Sequence, residues 1–426
     1  MTSQQRVVVI GGGMAGARLV QQLAAPGRTG GPGAGAPAVT VVGEERLPAY
    51  NRVLLAEVLA GQYPPEVIAL PQPADGVRRL SGVRAVRVDR AERRVQCDDG
   101  TVLGYDALVL ATGSNPVLPP LRGLFDDGHG DAGLPEGVHP FRTLDDCAAL
   151  ASAAGPGTRA VVIGGGLLGV SAARALAARG AAPVLAHQGE HLMERQLDPA
   201  ASGLLREHLS ALGVEVHTEC RVRALTTARD TGGRRAVRAV TLADGYALDA
   251  DVVVLACGVR PRTGLAAASG LTVRHGIVVD DQLRTDDPRV YAIGDCAEHR
   301  GTVYGLAGAA QEQADALARV LLAGGTHPTP CYPGTRSLTR LTLRGPGPLD
   351  LAAFGETVPL PDDDVVHLTD ATRGAYRKVV VRGDRLVGGI LLGDLDAVGA
   401  LARTWEGDEP LPQTPLLHLL TNDGGI

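Results

Sequence analysis

Two solidly apolar runs, Val7-Val8-Val9-Ile10 and Ala160-Val161-Val162-Ile163, each end at a cluster of glycines and lead into amphipathic, alanine-rich stretches over 17–24 and 170–178. A short continuous apolar run closed by a turn signal reads as a strand buried on both faces. Apolar positions three and four apart read as a helix. Val39-Thr40-Val41-Val42, Ala107-Leu108-Val109-Leu110-Ala111 and Val252-Val253-Val254-Leu255 repeat the buried-strand pattern. Short strands are predicted over 83–88, 94–97 and 101–103, with a turn at Asp98-Asp99-Gly100. Val290-Tyr291-Ala292-Ile293 predicts a strand ending at Gly294-Asp295, followed by a helix over 309–322. Beyond Pro328-Thr329-Pro330 the pattern changes to alternating segments at 337–343, 378–381 and 386–392, then a last helix near 397–404. The Gly-, Pro- and Ala-rich stretch 26–37 predicts a surface loop.

These elements imply an α/β chain: two Rossmann-like three-layer dinucleotide-binding domains and a small α+β C-terminal domain. The first domain is expected to be discontinuous, 1–118 with 259–330; the second spans 119–258 and the third 331–426. Asp251 to Pro261 echoes Asp106 to Pro116, a strand closing on a small residue and glycine before proline, which argues for two units of one plan.

The glycine clusters supply the chemistry. Gly11, Gly13 and Gly16, around Met14 and Ala15, and Gly164, Gly166 and Gly169, around Leu167 and Leu168, both read G-x-G-x-x-G between strand and helix. The first glycine makes the tight turn, the second lets backbone approach a pyrophosphate, and the third packs helix on strand. Two such sites most simply serve two dinucleotides, a resident flavin and a nicotinamide. An acidic residue is expected after the second strand of the first fold to hold the adenosine ribose. Gly43 occupies the usual place and Glu44 and Glu45 follow, with Glu45 slightly favoured and a solvated loop carboxylate the plain alternative for either. In the second fold the strand over 184–186 ends at His187, with Glu190 three residues on. No arginine lies between Pro183 and Glu194, so a 2′-phosphate lacks its expected partner and NADH is favoured over NADPH.

Composition narrows the class. The 426 residues are 45% hydrophobic and carry a net charge of −6, which points to neither nucleic acid nor an anionic membrane as partner. Of the 41 basic residues Lys378 is the single lysine. No apolar run approaches the roughly 20 residues of a membrane span. Met1 to Arg6 leads straight into the first strand, so no signal peptide and a cytoplasmic location are expected. Cys97, Cys147, Cys220, Cys257, Cys296 and Cys331 stand singly, without C-x-x-C, so neither a redox dithiol nor a metal site is indicated.

The order of first fingerprint, Ala111-Thr112-Gly113, second fingerprint, Ala256-Cys257-Gly258-Val259-Arg260-Pro261 and Tyr291-Ala292-Ile293-Gly294-Asp295 resembles the two-dinucleotide-fold flavoprotein reductases over nearly the whole chain. Tyr50-Asn51-Arg52-Val53-Leu54-Leu55, His191-Leu192-Met193-Glu194-Arg195-Gln196-Leu197-Asp198 and Gly294-Asp295-Cys296-Ala297-Glu298-His299 are similar to the flavin module of NAD(P)H-dependent assimilatory nitrite reductases, with rubredoxin and ferredoxin reductases as further relatives. The resemblance implies FAD lined by Arg52, Val86, Ala111, Thr112, Gly113, Gly294, Asp295 and Leu306, with Asp295 on the ribityl chain and Arg52 near the isoalloxazine. It places Gly258 beside the nicotinamide. Plain readings stand beside these: a helix cap for Asp295, a surface cation for Arg52, strand-end turns for Thr112-Gly113 and Gly258. Cys296 is expected to be a buried packing residue. Glutathione-reductase relatives carry a cysteine pair after the first fold, and 47–58 holds no cysteine. Nitrite reductase chains continue into iron–sulfur and siroheme domains not found here. The expected activity is therefore an FAD-dependent NAD(P)H:acceptor oxidoreductase feeding a separate iron–sulfur, haem or siroheme protein. An NADH oxidase or small-molecule flavin reductase, and a flavin-bound redox sensor, are the alternatives; homodimerisation is left open.

Overall fold

The strand Arg6–Ile10 lies at the centre of a five-stranded parallel sheet, in the order Val290–Ala292, Ala107–Leu110, Arg6–Ile10, Ala38–Gly43, Arg78–Ser81. The computed structural model describes residues 4–25, 36–72, 76–125, 133–229, 233–323, 330–345, 347–370, 372–411 and 415–420. Two units emerge: Met1–Leu54, Pro64–Asn115 and Val259–Thr335 form the first, and Leu55–Tyr63, Pro116–Gly258 and Arg336–Ile426 the second. The nucleotide fold expected over 119–258 and the C-terminal segment thus share one unit, which also takes in the short helix Leu55–Leu59. Most of the loop expected over 26–37, and part of Pro328-Thr329-Pro330, lie outside the described residues.

In the first unit Val7, Val9, Leu108, Val109 and Val290 are completely buried, as the unbroken apolar runs require of a parallel sheet covered on both faces. The helices Met14–Leu23 and Ala307–Leu322 pack together, and Arg18 forks onto Asp315 between them at 2.7 and 2.9 Å. An antiparallel meander, Ala85–Asp89, Arg94–Cys97 and Val102–Gly104, sits in the chain between the third and fourth strands of the parallel sheet. The single strand expected over 83–88 begins instead at Ala85, because Gly82 first turns the chain out of Arg78–Ser81.

The second unit repeats this plan. Its parallel sheet runs Glu215–His217, Ala182–Ala186, Arg159–Ile163, Val252–Leu255, Val138–Pro140, and a meander, Val222–Arg229, Arg235–Leu242 and Ala247–Asp249, occupies the corresponding place in the chain. Also in this unit is a five-stranded antiparallel sheet ordered Leu338–Leu343, Leu349–Gly355, Arg385–Leu392, Ala375–Arg382, Asp364–Asp370. The helix Val398–Gly407 covers one face of it, with Trp405 and Phe354 ring centroids 5.3 Å apart.

Candidate functional site

Both helices expected after the glycine clusters start earlier than their amphipathic pattern shows. They run Met14–Leu23 and Leu167–Ala178, with Gly13 and Gly166 as N-caps. In each fold the three glycines have three separate reasons. Gly11 and Gly164 both have φ +116°, and a Cβ there would stand 2.0 Å from the Ala111 carbonyl oxygen and 2.4 Å from that of Ala256. A Cβ on Gly16 or Gly169 would lie 2.0 or 1.7 Å from the Gly11 or Gly164 oxygen, so helix and turn meet only if both third positions are bare. Gly13 and Gly166 differ. Their φ values of −73° and −80° suit any residue. Among the described residues nothing lies within 4 Å of a Cβ on Gly166, and only the Arg52 guanidinium, at 3.9 Å, approaches one on Gly13. No side chain caps either helix. The result is an open cradle facing first-turn N–H groups, the place where backbone and helix dipole favour a phosphate.

In the first unit Arg52 closes on Glu45 and donates to the Tyr50 hydroxyl at 3.0 Å, while that hydroxyl donates to Glu45 at 2.6 Å. Glu44 accepts from Arg262 at 2.7 and 2.9 Å. Both candidate ribose carboxylates are therefore held by arginines, Glu45 beside the cradle and Glu44 toward Arg262. Thr112 donates to the Arg262 carbonyl at 2.7 Å and the Gly113 carbonyl accepts the Arg262 amide at 2.9 Å, which fixes the loop after the strand Ala107–Leu110. Asp295 is brought to the same end of the sheet. A Cβ on the preceding Gly294 would stand 3.0 Å from the Ala15 side chain; the Gly294 amide donates to Gln313 at 2.7 Å, and Ser114 donates to Asp295 at 2.9 Å. The segment 290–295 is thus strand only to Ala292, and a 3-10 turn, Gly294–Cys296, presents the carboxylate. Val86 lies half exposed at a register shift of the meander, and Leu306 is the N-cap of Ala307–Leu322. Tyr50, Ser114, Arg262 and Gln313 join this cluster without having been singled out in the sequence. Only Tyr50, inside a resembling segment, carried a signal.

In the second unit His187 follows the strand Ala182–Ala186 and packs its ring on Gly165, where a Cβ would lie 2.6 Å from the imidazole Cγ. Its Nδ1 accepts the Gly165 amide at 3.1 Å, so its proton sits on Nε2, 4.0 Å from a Glu194 oxygen. Burial lowers the His187 pKa against the opposing pull of Glu194, and the ring is neutral at pH 7. The Glu190 amide donates to Glu194 at 2.9 Å. Among the described residues nothing lies within 4 Å of a Cβ on Gly258, whose carbonyl accepts from Val117 at 2.9 Å.

All six cysteines are free thiols. Cys296, next to Asp295, is fully buried, approaches the Leu110 and Ile293 carbonyls at 3.4 and 3.3 Å, and is pushed up in pKa by burial. Cys147 and Cys257 are pushed up to about 11 by the same cause. No thiolate nucleophile is formed there at neutral pH. Iodoacetamide at pH 7 is expected to label exposed Cys331 first and to leave NADH:ferricyanide activity intact; loss of activity in step with labelling would contradict this.

The model of the pyridine nucleotide-disulphide oxidoreductases matches residues 5–314, from the first strand into the helix after Asp295. The chain belongs to that family. A rubredoxin NAD+ reductase C-terminal domain matches 347–404 within the antiparallel sheet and its helix. The family's members bind FAD and use NAD(P)H, and the two bare helix starts fit the pyrophosphates of those groups. A nitrite reductase [NAD(P)H] of Bacillus subtilis is 32% identical over 98% of this chain and 49% of its own. The chain thus spans about half the length of that relative. A probable ferredoxin reductase of Castellaniella defragrans is 30% identical over 91% of this chain and 90% of its own. Among solved structures, the ferredoxin reductase of the CYP199A2 system of Rhodopseudomonas palustris aligns with TM-score 0.79, 26% identity and 96% coverage of each chain. No helix among the described residues is long and apolar enough to cross a membrane.

Proposed function

We propose that this member of the family is an FAD-dependent NADH:acceptor reductase that delivers electrons to a separate iron–sulfur or haem protein. The observation that carries the reading is the bare helix start built twice, at Gly13 and at Gly166, where neither backbone conformation nor packing asks for glycine. Gly13 and the first turn Met14-Ala15-Gly16 would hold the FAD pyrophosphate, with Asp295 as acceptor for a ribityl hydroxyl. Gly166 and the turn Leu167-Leu168-Gly169 would hold that of the nicotinamide. FAD held there would supply the hydride-accepting and one-electron-donating chemistry. The protein's own task is positioning. Tyr50 and Glu45 hold the Arg52 guanidinium beside the first cradle. His187, neutral and committed to the Gly165 amide, offers no cation to a 2′-phosphate, which supports NADH as donor. The name of the ferredoxin reductase to which the chain is similar supports a protein acceptor.

The test is steady-state NADH oxidation with dioxygen, ferricyanide, a [2Fe–2S] ferredoxin or a rubredoxin as acceptor. Ferricyanide and at least one iron–sulfur protein are expected to raise the rate well above that with dioxygen, and NADH to exceed NADPH in kcat/KM. The protein-acceptor rate should fall with added salt if charged surfaces guide docking. A full rate with dioxygen alone would make the chain an oxidase, and negligible turnover with every acceptor a sensor.

A further inference from the structure

Lys378 is the one lysine among 41 basic residues, and it is nine-tenths buried. It sits on the strand Ala375–Arg382, two residues from buried Tyr376 and hence on the same face. Both side chains reach one oxygen of Asp198, Lys378 Nζ at 2.9 Å and the Tyr376 hydroxyl at 2.7 Å. The other oxygen accepts the Ala201 amide at 3.0 Å, which makes Asp198 the N-cap of the helix Pro199–Ala211. Burial alone would raise the Asp198 pKa, yet the Ala201 amide, Lys378 and Tyr376 bring it below the usual carboxylate value. With Oδ1 given to an amide and Oδ2 to a phenol, the carboxylate suits a point charge better than the fork of an arginine.

Asp198 also ends a loop that begins at His187 and returns to the second glycine cluster. Leu197 and Gln196 donate their amides to the Met193 carbonyl at 2.9 and 2.8 Å, so Met193 to Leu197 is one closed turn and Asp198 follows it directly. Met193 is buried in a left-handed conformation, φ +53°, an uncommon state for a side chain of its size. There its amide donates to the Gly165 carbonyl at 2.9 Å. Leu192, fully buried, places a methyl 2.7 Å from where a Gly165 Cβ would be. Gly165, between the first two fingerprint glycines, is thus enclosed by His187, Leu192 and Met193.

We propose that Lys378 and Tyr376, through Asp198, are positioning residues for the second glycine loop, so that nicotinamide dinucleotide affinity depends on the antiparallel sheet outside the nucleotide fold. This rests on the assignment of the nicotinamide to Gly166. Coupling through such a packed path is worth about three- to thirty-fold in affinity.

Lys378→Met keeps an unbranched, buried stem and removes the charge. The KM and Kd for NADH are expected to rise by about three- to thirty-fold, with kcat at saturating NADH and FAD content unchanged. Amide exchange at Met193 should accelerate. In a cycle with Asp198→Asn, which retains a capping side chain, the double variant should bind NADH no more weakly than the weaker single variant. An unchanged KM in Lys378→Met, with a lowered melting temperature, would reduce the cluster to a structural contact and overturn the proposal. If Lys378→Met does not fold, Tyr376→Phe decides alone: a raised KM supports the proposal and an unchanged one overturns it. Gly166→Val measured alongside separates the two failures, since normal NADH oxidation by that variant would remove the underlying site assignment instead.

Discussion

Gly166→Val is expected to stop NADH-driven turnover while leaving FAD content and fold intact. The backbone at Gly166 has φ −80°, and among the described residues no heavy atom lies within 4 Å of the new Cβ, so the fold tolerates the substitution at the point where the side chain begins. What it fills is the space in front of the first-turn amides. Valine is a poor N-cap, at a cost of about 1 kcal/mol to the helix, a small part of the unit's stability. Loss of charge-assisted bonds to phosphate, at roughly 1.5–3 kcal/mol each, predicts at least about a hundredfold fall in the rate of flavin reduction when two are lost. Stopped-flow bleaching of the flavin band by NADH measures it. A wild-type rate would leave the second glycine cluster with a packing role only. The neighbouring glycines make the contrast: a side chain at Gly164 or Gly169 runs into carbonyl oxygens at 2.4 and 1.7 Å and should damage folding itself.

Asp295→Ala is expected to yield protein that folds but loses much of its FAD. The carboxylate accepts from Ser114 and stands beside the turn that packs on Ala15, at the same end of the sheet as the first cradle. Removing a charge-assisted hydrogen bond worth about 1.5–3 kcal/mol weakens flavin binding by about ten- to a hundredfold. The ratio of flavin to protein absorbance after gel filtration reports it, and added FAD should restore activity. Full retention of FAD would confine Asp295 to local turn geometry.

Where one physical requirement dominated, it was legible in the residues. A parallel strand covered on both faces leaves no polar alternation, so Val7 to Ile10 and Ala160 to Ile163 announced themselves, and steric demands at Gly11, Gly16, Gly164 and Gly169 wrote the fingerprints. Two strands of the antiparallel sheet carry no alternating signal, for opposite reasons. Leu349–Gly355 is buried along most of its length and does not alternate; Asp364–Asp370 is largely exposed and begins within a run of acids. The helix starts lie ahead of the periodic pattern because Met14-Ala15-Gly16 and Leu167-Leu168-Gly169 show no amphipathic period. The partners of Asp295 and Asp198 come from positions up to 181 and 180 residues away, and no local pattern marks such pairs. The packing of the antiparallel sheet with the second nucleotide fold was invisible for the same reason.

The two parallel sheets share strand order and register, with Ile10 opposite Val42 and Ile163 opposite Ala186. Gly43 and His187 then occupy equivalent positions, each the first residue beyond these paired positions of the second strand. In the first half that position is bare, with the Gly12 amide 3.6 Å from where a Cβ would be; in the second an imidazole occupies the equivalent amide. One scaffold can therefore present two unequal pockets without moving a glycine: the difference begins at a single residue beyond the second strand, bare in one fold and filled by a ring in the other.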